Sequence, residues 1–198
     1  MKRRILCFGD SNTYGYDPRS YLGGRYPRER RWTGLLSALP EWEAVELGEN
    51  GREIPHTPSA TAEAVDLLTG REGEGILVLL GTNDLLKDSG STAEDVAGRM
   101  GRFLTALLPA LEPAERRRVV LAAPPPMAPG AWVGEERLLV QSARLGACYG
   151  ELARRLGISF VDAGLWGISL TFDGVHFSPE GHLAFAAGLA RSLPELLP

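Results

Sequence analysis

The sequence predicts an α/β fold: a three-layer α/β/α sandwich around a five-stranded parallel sheet of flavodoxin-like order. The main observation is that short, continuously apolar segments alternate five times with longer segments whose apolar residues recur at helical spacing. A second observation is that the 198 residues contain no internal repeat, charge block or low-complexity tract that would divide the chain. We therefore expect one domain over residues 1–198.

The five predicted strands are short and apolar without polar alternation, which is typical of parallel strands covered by helices on both faces. The first ends at Gly9, and the third, which is the clearest, ends at Gly81. The fourth is stopped by the prolines of 124–126, which cannot continue a central strand. The predicted strands cover residues 4–8, 42–47, 75–80, 118–122 and 158–161.

The predicted helices follow the strands and are marked by apolar residues at i, i+3, i+4 and i+7. Thr57 is a good N-cap, Pro58 suits the first helical position, and Gly70 ends that helix. Ser91 and Glu94 fit a capping box. The helices are predicted over 30–39, 58–70, 92–111, 135–156 and, after Ser178, 179–193.

Composition and charge exclude several classes of protein. Hydrophobic residues make up 44% and charged residues 23% of the chain, which excludes intrinsic disorder. The net charge of −4 argues against a nucleic-acid partner. The apolar run 5–8 is shorter than the core of a signal peptide, and no window approaches a membrane span, so we expect a cytoplasmic protein without membrane contact. Cys7 and Cys148 are too few for a disulfide framework or a four-ligand zinc site, and we interpret both as core residues.

The candidate functional residues all follow predicted strands. In an open parallel sheet, ligands bind beyond the carboxyl ends of the strands, which meet at one edge. We therefore expect a single active site there. The segments at this edge are 9–13, 48–51, 81–84, 123–126 and 173–176.

Ser11 is a candidate nucleophile at this edge, but its hydroxyl needs a base to remove the proton. His176 is the one of three histidines that lies at the edge, in a loop ahead of a capped helix. Asp173 precedes it by three residues, so one turn can bring the carboxylate back to the imidazole and fix its tautomer. Taken singly, Ser11 could be a helix cap and Asp173 a turn residue. We interpret His182 as a helix-surface or packing histidine.

A serine that attacks a carbonyl also needs hydrogen-bond donors for the oxyanion. Three donors are candidates: the backbone N–H groups of Gly48 and Ser11, and the side-chain amide of Asn83. The other interpretation of Gly48 is a plain turn glycine, and that of Asn83 is an N-cap or an Asx-turn.

These residues resemble the four sequence blocks of the SGNH (GDSL-type) hydrolases, in the family's order. The blocks are Gly9-Asp10-Ser11, Gly48, Gly81-x-Asn83 and Asp173-x-x-His176. The stretches 5–11, 31–34 and 173–177 are similar to the arylesterase and acyltransferase branch. The resemblance implies Ser11 as nucleophile, His176 as general base and acid, and Asp173 as its orienting partner. It also implies Ser11, Gly48 and Asn83 as the oxyanion hole, with no metal or organic cofactor.

The chain departs from the family pattern at two places. Asn12 follows the serine where the family name has Leu, and we expect it to tune the local turn or the pocket. Glu46-Leu47-Gly48 lacks the Asn that often stands two residues before the second block's glycine, which bears on hydrogen bonding near the oxyanion hole.

Residues near the catalytic blocks are candidates for the substrate pocket. We predict substrate contacts for Asp10, Asn12, Tyr14, Pro125 and Val175. Further aromatic candidates are Trp132, Trp166, Phe177 and Trp32, of which we assign Trp32 to the core. The segment 16–28 has no clear regular structure, and related branches use such insertions for pocket walls or oligomer contacts, which leaves a homo-oligomer open.

The function expected is a serine esterase for short-chain or aryl carboxylic esters, with acyl transfer to an alcohol or peroxide as a side activity. A carbohydrate O-deacetylase and a lysophospholipase or thioesterase are alternatives within the same family. A metallophosphoesterase is a distant alternative, because Asp10, Asn83, Asp84 and His176 include metal-type ligands. A non-enzymatic ligand-binding module is another, because fold alone does not fix function.

Overall fold

The computed structural model describes residues 2–20, 22–71 and 75–197, and it contains a five-stranded sheet. All neighbouring strands run parallel, in the order β2-β1-β3-β4-β5, so the predicted flavodoxin-like α/β fold is confirmed. One residue of the predicted irregular segment 16–28, residue 21, lies outside the described residues. The strands are β1 (Arg3–Gly9), β2 (Trp42–Gly48), β3 (Gly75–Leu79), β4 (Val119–Ala123) and β5 (Ser159–Asp162).

Eight α-helices are described, and the five long ones match the predicted helices. Three further helices of four to six residues were not predicted, because a helix of about one turn shows no periodicity. Short 3-10 turns occupy Arg28–Arg30, Leu108–Ala110 and Ala163–Trp166. The α-helices are α1 (Ser11–Tyr14), α2 (Trp32–Ala38), α3 (Pro58–Thr69), α4 (Thr82–Lys87), α5 (Ala93–Leu107), α6 (Pro113–Arg116), α7 (Glu136–Leu156) and α8 (Pro179–Leu196).

The helices cover both faces of the sheet and bury one hydrophobic core on each. Alternate residues of β1 point to opposite faces, so Leu6 belongs to the core beneath α3, α5 and α7. Its neighbour Cys7 belongs to the core beneath α2 and α8, with Trp32 and Phe185. Burial raises the pKa of the Cys7 thiol, so this cysteine is a core residue as predicted.

The helix ends follow the capping residues, with one shift of register. Thr57 accepts a hydrogen bond from the Ala60 N–H (3.2 Å), and Ser178 accepts one from the Gly181 N–H (3.0 Å). The capping box predicted for Ser91 and Glu94 is wrong by one residue, because Thr92 and Asp95 form it. The Ser91 hydroxyl instead donates to Asp88. Across the described ranges, no helix is both long enough and apolar enough to cross a membrane.

Candidate active site

Helix α1 places Ser11 at the carboxyl edge of the sheet, directly after β1. Asp10 caps the helix, since its Oδ1 accepts a hydrogen bond from the Asn12 N–H (2.9 Å). A Cβ on Gly9 would lie 2.1 Å from Thr13 Oγ1, so only glycine lets the chain turn this tightly. Asp10, predicted to contact substrate, is therefore occupied as the cap of the helix that carries Ser11.

The loop between β5 and α8 carries Asp173 and His176. Gly174 adopts a φ of +79°, and a Cβ there would lie 2.1 Å from the Ala128 carbonyl oxygen. The loop is fastened to the 128–132 segment, because the Trp132 N–H donates to the Asp173 carbonyl (3.0 Å). The close contact with this segment explains why the loop needs glycine at position 174.

The structure brings the three predicted catalytic residues into one hydrogen-bonded chain. His176 Nδ1 lies 2.6 Å from Asp173 Oδ2, and His176 Nε2 lies 2.9 Å from Ser11 Oγ. All three residues are buried, with 0% exposure for Asp173, 2% for His176 and 6% for Ser11. The imidazole thus bridges carboxylate and hydroxyl, an arrangement that can move a proton from serine to histidine.

The other oxygen of Asp173 is held by three donors. Oδ1 accepts hydrogen bonds from the backbone N–H groups of Val175 and His176 (2.9 Å each) and from the Thr171 hydroxyl (2.8 Å). Burial by itself would raise the pKa of Asp173, but the hydrogen bonds from the His176 side chain and from these N–H groups lower it to about 2. Asp173 is therefore an anion at neutral pH.

A cavity of about 560 Å³ opens onto the Ser11–His176 pair. Two aromatic rings flank the imidazole, with ring centroids 4.7 Å (Tyr16) and 5.0 Å (Trp132) from that of His176. Trp132 is 50% exposed, so a bound molecule can reach it. The residues that line the cavity are Ser11, Tyr16, Asn50, Gly51, Asn83, Leu86, Lys87, Trp132 and His176.

The three predicted oxyanion donors do not all lie at the cavity wall. Gly48 does not line the cavity: it is the last residue of β2, where a Cβ would lie 2.2 Å from the Tyr14 nitrogen. Glycine is needed there so that α1 can pack against the strand. Gly51, three residues later and at a φ of +72°, lines the cavity instead. Both glycines follow the strand predicted over 42–47, so sequence spacing does not separate them.

Asn83, the predicted side-chain donor, lies in the first turn of α4 and at the cavity wall. Its Nδ2 donates to the Arg52 carbonyl (3.0 Å). Lys87, one helical turn later, donates to the Gly51 carbonyl (2.7 Å) and pairs with Glu53 (3.1 Å). These contacts fasten the segment after β2 to α4, so Gly51 and Asn83 are held in a fixed relation.

The remaining residues predicted to bind substrate also lie away from the cavity wall. Val175 is 5% exposed and packs in the core. Tyr14 is covered by the Arg25 guanidinium, 4.2 Å above its ring. Pro125 is half-buried beyond β4, and the Asn12 amide is engaged with backbone groups of the His176 loop. Proximity to the catalytic blocks in sequence is therefore a poor guide to the pocket.

The actual cavity residues have only weak signals in the sequence. Leu86 and Lys87 follow Asn83 by three and four positions, which puts all three on one face of a helix. The spacing could not be used to predict the cavity, because no helix was predicted at these positions. Trp132 is among the wider aromatic candidates, and its loop is fastened directly to that of Asp173. Tyr16 falls at the start of the segment without predicted structure.

His182 is a packing histidine and not a surface one. It is 1% exposed, and its Nδ1 accepts a hydrogen bond from the Trp32 N–H (3.3 Å). Burial, assisted by the charges of Arg31 and His176, lowers the pKa of His182 to about 3, so the ring is neutral at neutral pH.

The candidate metal-type ligands do not form a metal site. Within the part of the chain that the structure describes, no group of three His, Cys, Asp or Glu side chains could hold a metal ion. Asp84 is buried and accepts hydrogen bonds from the Ile54 N–H (3.1 Å) and from Arg99 (3.4 Å).

The chain is similar to a known protein family and to several solved structures. Residues 7–184 match the model of the GDSL-like lipase/acylhydrolase family. Est24, a carbohydrate acetylesterase from Sinorhizobium meliloti, superposes with a TM-score of 0.85 at 28% identity, over 98% of this chain and 100% of that one. The aryl esterase of M. smegmatis gives a TM-score of 0.84 at 28% identity, over 98% and 100% of the two chains.

A further similar structure is a putative arylesterase from Agrobacterium tumefaciens, with a TM-score of 0.84 at 29% identity over 98% of this chain and 100% of that one. A search of curated protein sequences finds no significant match. The family match covers most of the chain and confirms both the resemblance and the expectation of a carboxylic ester hydrolase. The chain therefore belongs to the GDSL-like lipase/acylhydrolase family.

Proposed function

We propose that the chain is a serine esterase in which Ser11, His176 and Asp173 form the catalytic triad. The observation that carries this proposal is the buried chain of hydrogen bonds from Asp173 through His176 to Ser11, which ends at a cavity. The anionic state of Asp173 supports it, because a carboxylate stabilises the imidazolium that forms during the reaction.

The proposed reaction has two steps. Ser11 Oγ attacks the ester carbonyl while its proton passes to His176 Nε2. The tetrahedral intermediate collapses as His176 returns the proton to the departing alcohol, which leaves an acyl group on Ser11. A water molecule then attacks the acyl carbonyl and gives its proton to His176; the bond to Ser11 Oγ breaks, His176 returns the proton to that oxygen, and the acid is released. An alcohol in place of water would give acyl transfer.

We assign three donors to the oxyanion: the backbone N–H groups of Ser11 and Gly51 and the side-chain amide of Asn83. All three residues line the cavity. The Ser11 N–H opens helix α1 and has no acceptor within the helix. Fixed donors of this kind lower the barrier because they need no reorganisation when charge develops.

We propose as substrates esters with a short acyl group, as the family resemblance implies, and an aromatic or other flat ring in the alcohol. Tyr16, Trp132 and Leu86 supply apolar wall beside His176, and rings of such aromatic side chains favour stacking. A sugar acetate is the second candidate, because the half-exposed Trp132 presents the kind of surface on which a sugar ring can lie. The solved relatives include both an aryl esterase and a carbohydrate acetylesterase.

Replacement of the proposed nucleophile tests the catalytic triad. Ser11→Ala should lower kcat on p-nitrophenyl acetate by a factor on the order of 10⁴ or more. The control is Ser192→Ala, which removes a half-buried serine that donates to the Gly188 carbonyl within α8. It should keep wild-type turnover. Ser11→Ala that still turns over near the wild-type rate would refute the triad.

The substrate class is tested by comparing p-nitrophenyl acetate, butyrate and octanoate with an acetylated sugar. Higher kcat/KM for the short aryl esters supports the first candidate, and higher kcat/KM for the sugar acetate supports the second. A preference for octanoate would contradict both.

A further inference from the structure

Asn12 joins the helix that carries Ser11 to the loop that carries His176. Its side chain is buried, with 4% exposure for the residue. Asn12 Nδ2 donates to the Val175 carbonyl (3.2 Å), and Asn12 Oδ1 accepts from the Phe177 N–H (2.8 Å). One amide therefore binds the backbone on both sides of His176.

This contact needs the chemistry of an amide side chain. Val175 offers an acceptor and Phe177 a donor, so the partner must donate with one atom and accept with the other. Asparagine does both from one planar group, whereas a carboxylate only accepts and a leucine does neither. Leucine, which the GDSL motif of the family name has at this position, could not make this contact.

The rest of Asn12 is fixed as well. Its backbone carbonyl accepts a hydrogen bond from Trp32 Nε1 (3.0 Å), and its N–H is held by Asp10. Trp32 is fully buried, so this hydrogen bond is shielded from water. The amide thus reaches the histidine loop from a rigid base.

The geometry matters because Ser11 and His176 are 165 residues apart in sequence. Their contact depends on how two separate elements are held against each other. Other hydrogen bonds fasten the histidine loop to the 128–132 segment, and those bonds do not fix its distance from α1. The Asn12 amide ties the loop to α1, since it forms hydrogen bonds with the residues on either side of His176.

We propose that Asn12 is a positioning residue that holds His176 Nε2 at hydrogen-bond distance from Ser11 Oγ. The inference rests on the proposed triad and adds a role that the triad residues do not have. Asn12 does not touch the reacting atoms; it sets the geometry in which the proton is transferred. A misplacement of about 1 Å in such a group lowers the rate by up to about 100-fold.

Asn12→Leu tests the proposal, because leucine has the same number of side-chain heavy atoms branched at the same carbon but forms no hydrogen bonds. We expect kcat on p-nitrophenyl acetate to fall by about 10- to 100-fold with KM close to the wild-type value. The rate at which an organophosphate labels the serine should fall by a similar factor, since labelling uses the same proton transfer.

The control separates positioning from loss of stability. Ser37→Ala removes another inter-element bond, in which the Ser37 hydroxyl accepts from the Ala44 N–H (2.9 Å), at the opposite end of the sheet from the cavity. It should lower the melting temperature and leave kcat and the labelling rate unchanged. Rates are measured well below the melting temperatures of all variants.

A second variant serves if Asn12→Leu does not fold. Asn12→Asp keeps the acceptor for the Phe177 N–H and loses the donor to the Val175 carbonyl, so kcat should still fall with KM retained. Wild-type kcat in the Asn12 variants would overturn the positioning role, and so would an equal loss of kcat in Ser37→Ala. An inactive Ser11→Ala beside such results would leave the triad intact, whereas an active Ser11→Ala would overturn both proposals.

Discussion

Asp10 stands next to the proposed nucleophile and holds a charge that burial disfavours. Burial raises the pKa of Asp10 to about 6, against the opposing effects of the Asn12 N–H and the charges of His176 and Arg52. The folded chain therefore binds this proton more tightly than the unfolded chain. The associated stability is present below pH 3.8 and is lost as the pH rises through about 6.

This loss of stability with rising pH gives a prediction for Asp10→Asn, which keeps the capping oxygen and removes the charge. The variant should be more stable than the wild type at pH 7, by on the order of 1–3 kcal/mol, and should show little gain at pH 4. Urea unfolding at the two pH values measures this. A gain of equal size at both pH values would show that the charge is not the cause.

His182 predicts the opposite dependence on pH. Its pKa is about 3 in the folded chain, against the ordinary histidine value of 6.5 in the unfolded chain, so only the unfolded chain takes up a proton between these values. The stability from the neutral ring is present above pH 6.5 and is lost as the pH falls toward 3, at about 1.4 kcal/mol per pH unit.

His182→Asn, which offers an acceptor to the Trp32 N–H without an acidic group, should remove this part of the slope. The free energy of unfolding of variant and wild type is compared at pH 7 and pH 5. The variant will be less stable at pH 7 because asparagine is smaller. If both proteins lose the same stability between the two pH values, His182 is not the group responsible.

Single residues also show where prediction from sequence stops. The convergence of Ser11, Asp173 and His176 at one edge could be expected from a parallel sheet, but only the family resemblance singled out these three residues. Gly48 ends β2 and Gly51 stands three residues later, and only the approach of α1 to the strand decides which one is structural. Its position beside Ser11 suggests a substrate contact for Asn12. Its contacts with Val175 and Phe177 could not be predicted, because both residues are far away in the chain.

Among the elements, α4 depends on the strained residue that caps its N-terminus. Gly81, its N-cap, has a φ of +123°, and a Cβ there would lie 2.5 Å from the Tyr149 hydroxyl and 3.2 Å from Val96. The helix it begins carries Asn83, Leu86 and Lys87 to the cavity. Gly81 therefore allows the chain to pass from the end of β3 into the helix that forms part of the cavity wall.

Gly81→Ala should destabilise the chain by more than about 1 kcal/mol, because it adds a steric clash to backbone strain. Gly157→Ala is the matched control: Gly157 also has a positive φ (+66°), but nothing lies within 4 Å of its Cβ position. The control should cost about 1 kcal/mol. Denaturant unfolding gives both values, and equal losses would mean that the contact with Tyr149 is unimportant.

The elements themselves are predictable to different degrees. Strands and long helices follow from apolar runs and periodicity, and the caps at Thr57 and Ser178 follow directly from residue type. The capping box is shifted from Ser91 to Thr92 because the Ser91 hydroxyl is already bonded by two nearby side chains, those of Asp88 and Arg99. Helices α1 and α4 are too short for periodicity, yet both carry residues of the site.

At the scale of the whole molecule, the site exists because a doubly wound parallel sheet brings distant segments to one edge. The residues at the cavity wall range from Ser11 to His176 in sequence, so no isolated part of the chain contains the site. The strand order could be predicted from the alternation of strands and helices, because right-handed crossovers leave few topologies. The cavity wall could not, because it is made by side chains of loops whose conformation depends on tertiary packing.

The central claim is that Ser11 attacks the ester carbonyl and carries the acyl group. Its most direct test is to inactivate the esterase with diethyl p-nitrophenyl phosphate and to locate the label by mass spectrometry of peptides. We predict one phosphoryl group per chain, on Ser11, with activity lost in proportion to labelling and no labelling in Ser11→Ala. Inactivation with the label on a different residue, or undiminished labelling of Ser11→Ala, would contradict this claim.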